Sequence, residues 1–285
     1  MKYEGVVVLF YPDDAMFDNI NSYIDEIDKL YVVDNTPGVD ISDKFNNPKI
    51  KYIPLKENKG IAYALNVGAK EAISNGTDWL LTMDQDSVFE PGAVKEMKNF
   101  IEICYKNKDL EKIVGKEYKK ISIVGPFHVT ERTKLHKPSG IDRPLVVMTS
   151  GNFVNLEAYK EVEGFKDWLF IDCVDFDFCL NLRKHDYEII QLNYARLIHP
   201  LGDTKQMKIA NKIMFADNHS AFRRYYITRN RHYIYDMYHD VFPDYCELEV
   251  GRTKKELIKI WLFEKDKIKK TKAIYRGYKD YKKGK

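Results

Sequence analysis

The 285-residue sequence has no apolar run approaching the ~20 residues of a membrane-spanning helix, which argues against a helical integral membrane protein. Its N-terminal hydrophobic stretch, Val6 to Tyr11, is cut off by Pro12, Asp13 and Asp14 before a signal-peptide core or cleavage site can form. The chain is therefore expected to stay in the cytosol. The four cysteines, Cys104, Cys173, Cys179 and Cys246, show no C-x-x-C spacing, so neither a zinc knuckle nor a disulfide framework is expected and the thiols read as reduced. Internal repeats and low-complexity linkers are also lacking. What remains is 44% apolar and 31% charged, the composition of a soluble globular chain long enough to bury a sizeable core.

Net charge is small in total and uneven in place. The formal net charge is +3, yet residues 252–285 hold 14 Lys/Arg against 4 Asp/Glu, a surplus of ten that leaves −7 for residues 1–251. Within this tail Leu257, Trp261, Ile268 and Tyr275 recur at near-helical spacing among lysines. Such a basic amphipathic helix fits an anionic membrane surface, and equally a solvated helix packed on the body by its apolar stripe.

Short apolar runs at Gly5–Phe10, Leu30–Val33, Ile50–Ile53 and Trp79–Met83 read as strands. Between them lie helical patterns, Met16, Ile20, Ile24 and Ile27 first, then the small-residue face Ile61, Ala64, Leu65, Ala69 and Ala72. A helix over Gly92–Cys104, an exposed basic connection over Lys106–Lys120 and strands at Ile121–Val124 and Leu145–Thr149 follow. Then come a helix over about Asp175–Lys184 and short strands at Ile189–Leu192 and Ala195–Ile198. This alternation predicts an α/β catalytic domain over 1–204 with a mainly parallel central sheet flanked by helices, and a helical C-terminal extension over 205–285. Ligands of such sheets gather at the carboxyl ends of the strands, where Asp34, Asp84 and Asp86 fall.

Asp84 and Asp86 stand one residue apart after Trp79–Met83. In extended backbone, residues i and i+2 point to the same side, so both carboxylates can converge on one ion. Hard oxygen donors of this kind suit Mg2+ or Mn2+, which accept substrate phosphate oxygens as further ligands. The competing reading is a polar turn after a buried strand.

Several segments in fixed order resemble the family 2 glycosyltransferases of GT-A fold, and more narrowly their rhamnosyltransferase-like branch. They are Val7-Val8-Leu9-Phe10-Tyr11, Val32-Val33-Asp34-Asn35-Thr36, Asn58-Lys59-Gly60-Ile61-Ala62 with Asn66 and Gly68, and Asp84-Gln85-Asp86-Ser87. Later come Ser150-Gly151-Asn152, Phe170-Ile171-Asp172-Cys173-Val174-Asp175, His199-Pro200-Leu201-Gly202, and Arg224-Tyr225-Tyr226 with Arg229-Asn230. The set spans roughly residues 3–240, and the narrower assignment rests mostly on the segments after residue 170.

The resemblance implies an inverting, metal-dependent hexosyltransferase using a dTDP- or UDP-linked donor, most closely dTDP-rhamnose. Its acceptor is expected to be a bacterial surface polysaccharide or lipid-linked glycan precursor, met at the inner face of the cell membrane. Donor contacts are expected from Phe10, Tyr11, Asp34, Asn35, Asn58, Gly60, Asn66, Asp84, Gln85, Asp86 and Arg229, and acceptor contacts from Ser150, Gly151 and Asn152. The metal is expected on Asp86, Asp84 and His199. Asp175 aligns with the catalytic base, but Val174 stands where an acid is common, which keeps Asp172 as an alternative base. Turn capping by Asp34, helix capping by Asn58, Asp172 or Asp175, and a structural role for His199 are the competing readings. His219, Arg223, Arg224, Tyr226 and Arg229 form a basic-aromatic cluster suited to diphosphate or to an anionic acceptor, or to a salt-bridged helix face.

Two other functions are weighed on the same residues. A nucleotidylyltransferase also uses paired acids on an α/β sheet, but the glycine- and arginine-rich phosphate loop it would carry is missing from Val6 to Asp14. Nucleic-acid or acidic-partner binding through the basic tail is permitted by charge and leaves the ordered motifs unexplained.

Overall fold

A computed structural model describes residues 1–106, 120–136, 138–200, 205–209 and 212–284. Most of the basic connection expected over Lys106–Lys120 lies outside the described residues, as do Leu201 and Gly202. Two compact units divide the chain, Met1–Asp167 with Phe178–Pro200, and Trp168–Asp177 with Leu201–Lys285.

In the first unit, β1 (Tyr3–Leu9), β2 (Lys29–Asp34), β3 (Ile50–Pro54) and β4 (Trp79–Asp84) pair in parallel in the order β3-β2-β1-β4. The sheet continues through β8 (Asn152–Asn155), β6 (Ile121–Val129) and β9 (Glu188–Ile198) to β5 (Val88–Phe89), with β7 (Ile141–Asp142) also on β9. β8 is antiparallel to both β4 and β6, while β6 and β9 are parallel, so the half beyond β4 is mixed. Because β1 to β4 are parallel, their carboxyl ends share one edge. Val7, Leu9, Val32, Leu81, Met83, Phe153, Ile190 and Leu192 fill the core. These apolar runs form strands because both sheet faces are covered.

Four expectations need correction. The first helix, α1 (Ala15–Asn21), stops before Ile24, and Ile24–Glu26 forms a separate 3-10 turn. Leu145–Thr149 is not a strand; the paired segment is β8, which begins only at Asn152, after the Ser150-Gly151 turn. Ile189–Leu192 and Ala195–Ile198 belong to one strand, β9, carried through a register shift opposite Pro126 and Phe127. The C-terminal segment opens on a two-stranded antiparallel hairpin, β10 (Lys205–Ile209) with β11 (Lys212–Ala216), before any helix.

The remaining helices of the first unit are α2 (Ile61–Ser74), α3 (Ala93–Lys106), α4 (Leu156–Glu161) and most of α5 (Val174–Lys184), whose first turn falls in the second unit. The second unit is built on α6 (Ala221–Tyr238), α7 (Pro243–Phe263) and α8 (Lys267–Lys282). Ser220 caps α6 by accepting the Arg223 amide, and Pro243 opens α7 at a position where no amide is needed. Charged side chains tie the three helices together: Arg224 pairs with Glu256 and Glu264, Arg231 with Glu249 and Glu256, and Lys270 with Glu264. Among the described residues, no helix is long and apolar enough to cross a membrane.

Two glycines test this packing in opposite directions. A Cβ on Gly68 of α2 would lie 2.2 Å from Val6 Cγ2, whereas one on Gly251 of α7 would meet nothing within 4 Å. Gly68→Ala is predicted to destabilise by about 1–3 kcal/mol through overpacking. Gly251→Ala is predicted to stabilise by about 0.5–1 kcal/mol through helix propensity. Thermal unfolding of both variants checks this, and shifts of the same sign would contradict it.

Candidate active site

The carboxyl edge of β1 to β4 is held by side chains that bridge neighbouring strand ends. Asp34 is fully buried; its Oδ1 accepts the Thr36 amide at 2.9 Å and its Oδ2 the Tyr52 hydroxyl at 2.8 Å. Asn35 donates to Asn58 Oδ1 at 3.0 Å and accepts the Lys59 amide at 2.8 Å. Asn58 Oδ1 also accepts the Gly60 amide at 3.0 Å, and Gly60 enters α2 at φ 87°, a backbone conformation that favours glycine. Gln85 exchanges hydrogen bonds with the Phe10 amide and carbonyl, which joins the end of β4 to the end of β1. Phe10 and Tyr11 stand exposed beyond β1 with their rings edge to face, 4.7 Å apart. A flat π surface of this kind at a strand edge suits stacking on a nucleobase.

Asn66 is occupied differently. It donates to the Phe165 carbonyl and to Asp167, each at 2.7 Å, and accepts from the Tyr159 hydroxyl and the Phe165 amide. Its hydrogen-bonding capacity is spent on α4 and the segment after it.

Asp84, Asp86 and His199 each offer one ligand atom, and these atoms all lie within 4.8 Å of one another. Asp86 is exposed, yet desolvation by the protein atoms packed around it raises its carboxyl pKa, while His199 pulls it the other way. Two carboxylate oxygens and an imidazole nitrogen fit Mg2+ or Mn2+, the imidazole favouring Mn2+.

Behind this cluster lies a pair of buried hydroxyls. Ser87 Oγ and His199 Nδ1 share a 2.7 Å hydrogen bond, which leaves Nε2 as the ring nitrogen for a ligand. Ser150 Oγ donates to Ser87 Oγ at 2.9 Å and accepts the Asp84 amide at 3.0 Å. The Ser150 carbonyl in turn accepts His128 Nε2–H at 2.7 Å. Burial, more than the nearby His199, drives the His128 pKa down to about 4, so this histidine is a neutral donor at neutral pH. The turn carrying Ser150 is fastened to β4: Thr82 Oγ1 donates to the Thr149 carbonyl and the Gly151 amide donates to the Thr82 carbonyl. Gly151 has φ 86°, and a Cβ there would press on Leu197 and Pro126 at 2.8 and 2.9 Å. Asn152 is buried and donates to the Met148 carbonyl. Ser150-Gly151-Asn152 therefore supports the acid pair from the adjacent strand. Ser87 and His128 were not singled out from sequence as site residues; a serine after the acid pair and a lone histidine in an apolar strand carry no distinguishing signal.

Residues 15–107 match the family model described as glycosyl transferase family 2. The chain is 29% identical over 245 residues to the dTDP-rhamnosyl transferase RfbF of Shigella flexneri, covering 79% of this chain and 77% of that protein. Both matches support a family 2, rhamnosyltransferase-like glycosyltransferase. Similar solved folds include S. aureus TarS 1-349 in complex with UDP-GlcNAc, with a TM-score of 0.60 at 14% identity over 99% of this chain and 80% of that one. GalNAc-T7 with UDP, GalNAc and Mn2+ gives a TM-score of 0.57 at 11% identity, over 86% of this chain and 49% of that one. Against another structure of TarS 1-349 the score is 0.53 at 16% identity, over 70% of this chain, which there spans 61% of the TarS chain. These likenesses identify the fold of the glycosyltransferase as GT-A.

The second unit carries the remaining predicted residues. Phe170, Asp172 and Cys173 all have positive φ, between 62° and 66°, in the turn before α5. Asn230 Nδ2 donates to the carbonyls of Leu169, Ile171 and Asp172, and Arg229 to those of Trp168 and Leu169. The Arg229 guanidinium lies 4.8 Å from the Tyr226 ring centroid, and Tyr226 stacks on Phe170. Arg229 is thus committed to holding this turn. Asp172 is paired with Arg223 through two guanidinium nitrogens, and buried Asp177 accepts the Tyr238 hydroxyl at 2.8 Å. Asp175 is half-buried in the first turn of α5, where its Oδ1 accepts the Phe176 amide. His219, on the same unit, is driven down to about 3 by burial and by Arg223 and Arg224, and so is neutral.

Replacing Ser87 removes the partner of His199 Nδ1 while leaving both acids in place. Ser87→Ala is predicted to weaken Mn2+ binding by about 10–100-fold. Paramagnetic resonance of free Mn2+ in a titration without donor measures this, and an unchanged affinity would contradict it.

Proposed function

We propose that the protein is a metal-dependent, inverting rhamnosyltransferase that moves L-rhamnose from dTDP-rhamnose to a surface polysaccharide or its lipid-linked precursor, on the cytoplasmic side of the cell membrane. The observation that carries the reaction class is the convergence of Asp84, Asp86 and His199 at the edge where the parallel strands end. The name of the Shigella flexneri relative supports the donor.

In this reading Phe10 and Tyr11 offer aromatic surface to the thymine, and the Asn35–Asn58 pair shapes the backbone beside the nucleotide. Asp84, Asp86 and His199 hold Mg2+ or Mn2+, which supplies charge neutralisation to the departing dTDP. The acceptor hydroxyl oxygen forms the new bond to the anomeric carbon as the bond from that carbon to the diphosphate oxygen breaks. Approach from the opposite face inverts the centre, and the hydroxyl proton passes to a carboxylate. Asp175 is the base we assign. Asp172 and Asp177 serve as anchors, the first bridged to Arg223 and the second sealed beneath Tyr238, whereas Asp175 sits at a helix start with part of its surface open.

Asp175→Asn is expected to lower turnover by about 10²–10⁴-fold while donor and metal affinity persist. Asp86→Ala should instead remove metal-dependent donor binding. Radiolabelled transfer together with calorimetric donor titration separates the two. Near-normal turnover by the Asp175 variant would remove it as the base, and a preference for UDP-sugars in the same assay would overturn the thymidine donor.

A further inference from the structure

Three of the four acids of residues 252–285 are engaged by the helices, while most of the bases turn outward. Glu256 and Glu264 are paired with Arg224, Arg231 and Lys270, and Asp280 accepts the Tyr225 hydroxyl. Of the four acids in this segment only Asp266 is exposed, whereas Lys254, Lys255, Lys265, Lys269 and Lys272 all are. The segment therefore shows solvent a surface more cationic than its composition implies.

Apolar side chains share that outward surface. Ile258, Trp261 and Leu262 of α7 are 61%, 52% and 62% exposed. Their i, i+3, i+4 spacing puts them on one helical face, with Lys254 and Lys255 one turn before and Lys265 in the connection just past the helix end. On α8, Ile268 and Tyr275 are exposed as well, while Ala273, Ile274 and Gly277 are buried. The apolar residues whose spacing suggested a packing stripe, Trp261, Ile268 and Tyr275, are thus the ones left in water, and Ile260 is the buried residue of that turn. A lysine-framed row of this kind demands a partner with an apolar interior and an anionic surface. A second copy meeting it face to face would set the same lysines opposite one another. An anionic bilayer meets both requirements, because headgroups pair with the ammonium groups while lysine stems extend outward from an inserted apolar stripe.

We propose that this face of α7 is a membrane-docking edge that inserts Ile258, Trp261 and Leu262 into the interfacial layer of an anionic bilayer. Its purpose rests on the reading of the acceptor as lipid-linked, but vesicle binding is measured without donor or acceptor, so either can fail alone. The full chain is sedimented with vesicles of phosphatidylcholine, with and without about 30% phosphatidylglycerol, a content that gives a negative surface potential. Binding is expected to the anionic vesicles alone. Ile258→Ser with Leu262→Ser should lower the partition coefficient at least about tenfold, with donor affinity kept as the check on folding. Lys254→Glu with Lys255→Glu, which alters no apolar contact, should lower it similarly. Equal binding to both vesicle types, unchanged binding by both double variants, or a solution dimer that the serine variant dissociates would overturn the proposal.

Discussion

The interaction on which the site depends is the convergence of two carboxylates beside an imidazole at the end of β4. Like charges this close disfavour one another unless a cation or a donor compensates, and partial desolvation of the exposed Asp86 adds to the conflict. The groups that hold the backbone and the imidazole behind the acids are uncharged. Ser150 receives the Asp84 amide, Ser87 fixes His199, and His128, kept neutral by burial, fixes Ser150 in turn. None of these adds positive charge, which a divalent ion on the three ligand atoms would supply.

A comparable constraint governs the turn before α5. Three non-glycine residues with positive φ within four positions cost on the order of 1–3 kcal/mol each. Such a turn persists only where its surroundings over-determine it. Asn230 does so by reaching the Leu169, Ile171 and Asp172 carbonyls at 2.8–2.9 Å, with Arg229 on the Trp168 carbonyl and sharing that of Leu169. The adjacent pair Arg229-Asn230 thereby holds the turn that leads into α5 through its backbone carbonyls.

Much of the first unit was legible because buried parallel strands announce themselves as continuous apolar runs, and because acids at i and i+2 share a side. Strand ends near Asp34 and Asp84 followed directly. Leu145–Thr149 misled because it is apolar without being paired, and pairing is a long-range property that local pattern does not carry. The same limit hid the Ser87–Ser150 contact, whose members stand 63 positions apart. In Asn66 and Arg229 the residue type announced hydrogen bonding but not its partner, which is the backbone of a distant segment. The tail's charge surplus was countable, but only the ion pairs of Glu256 and Glu264 reveal that these two acids face inward.

The central claim is that donor recognition runs through a divalent ion held by Asp84, Asp86 and His199. Thermal unfolding with saturating dTDP-rhamnose, in Mn2+ and again in excess chelator, tests it most directly. A donor at about 100 times its dissociation constant adds roughly 2.7 kcal/mol, a rise of about 5 °C for a chain of this size. The account predicts that rise in Mn2+ and its loss in chelator. An equal rise in both would contradict it.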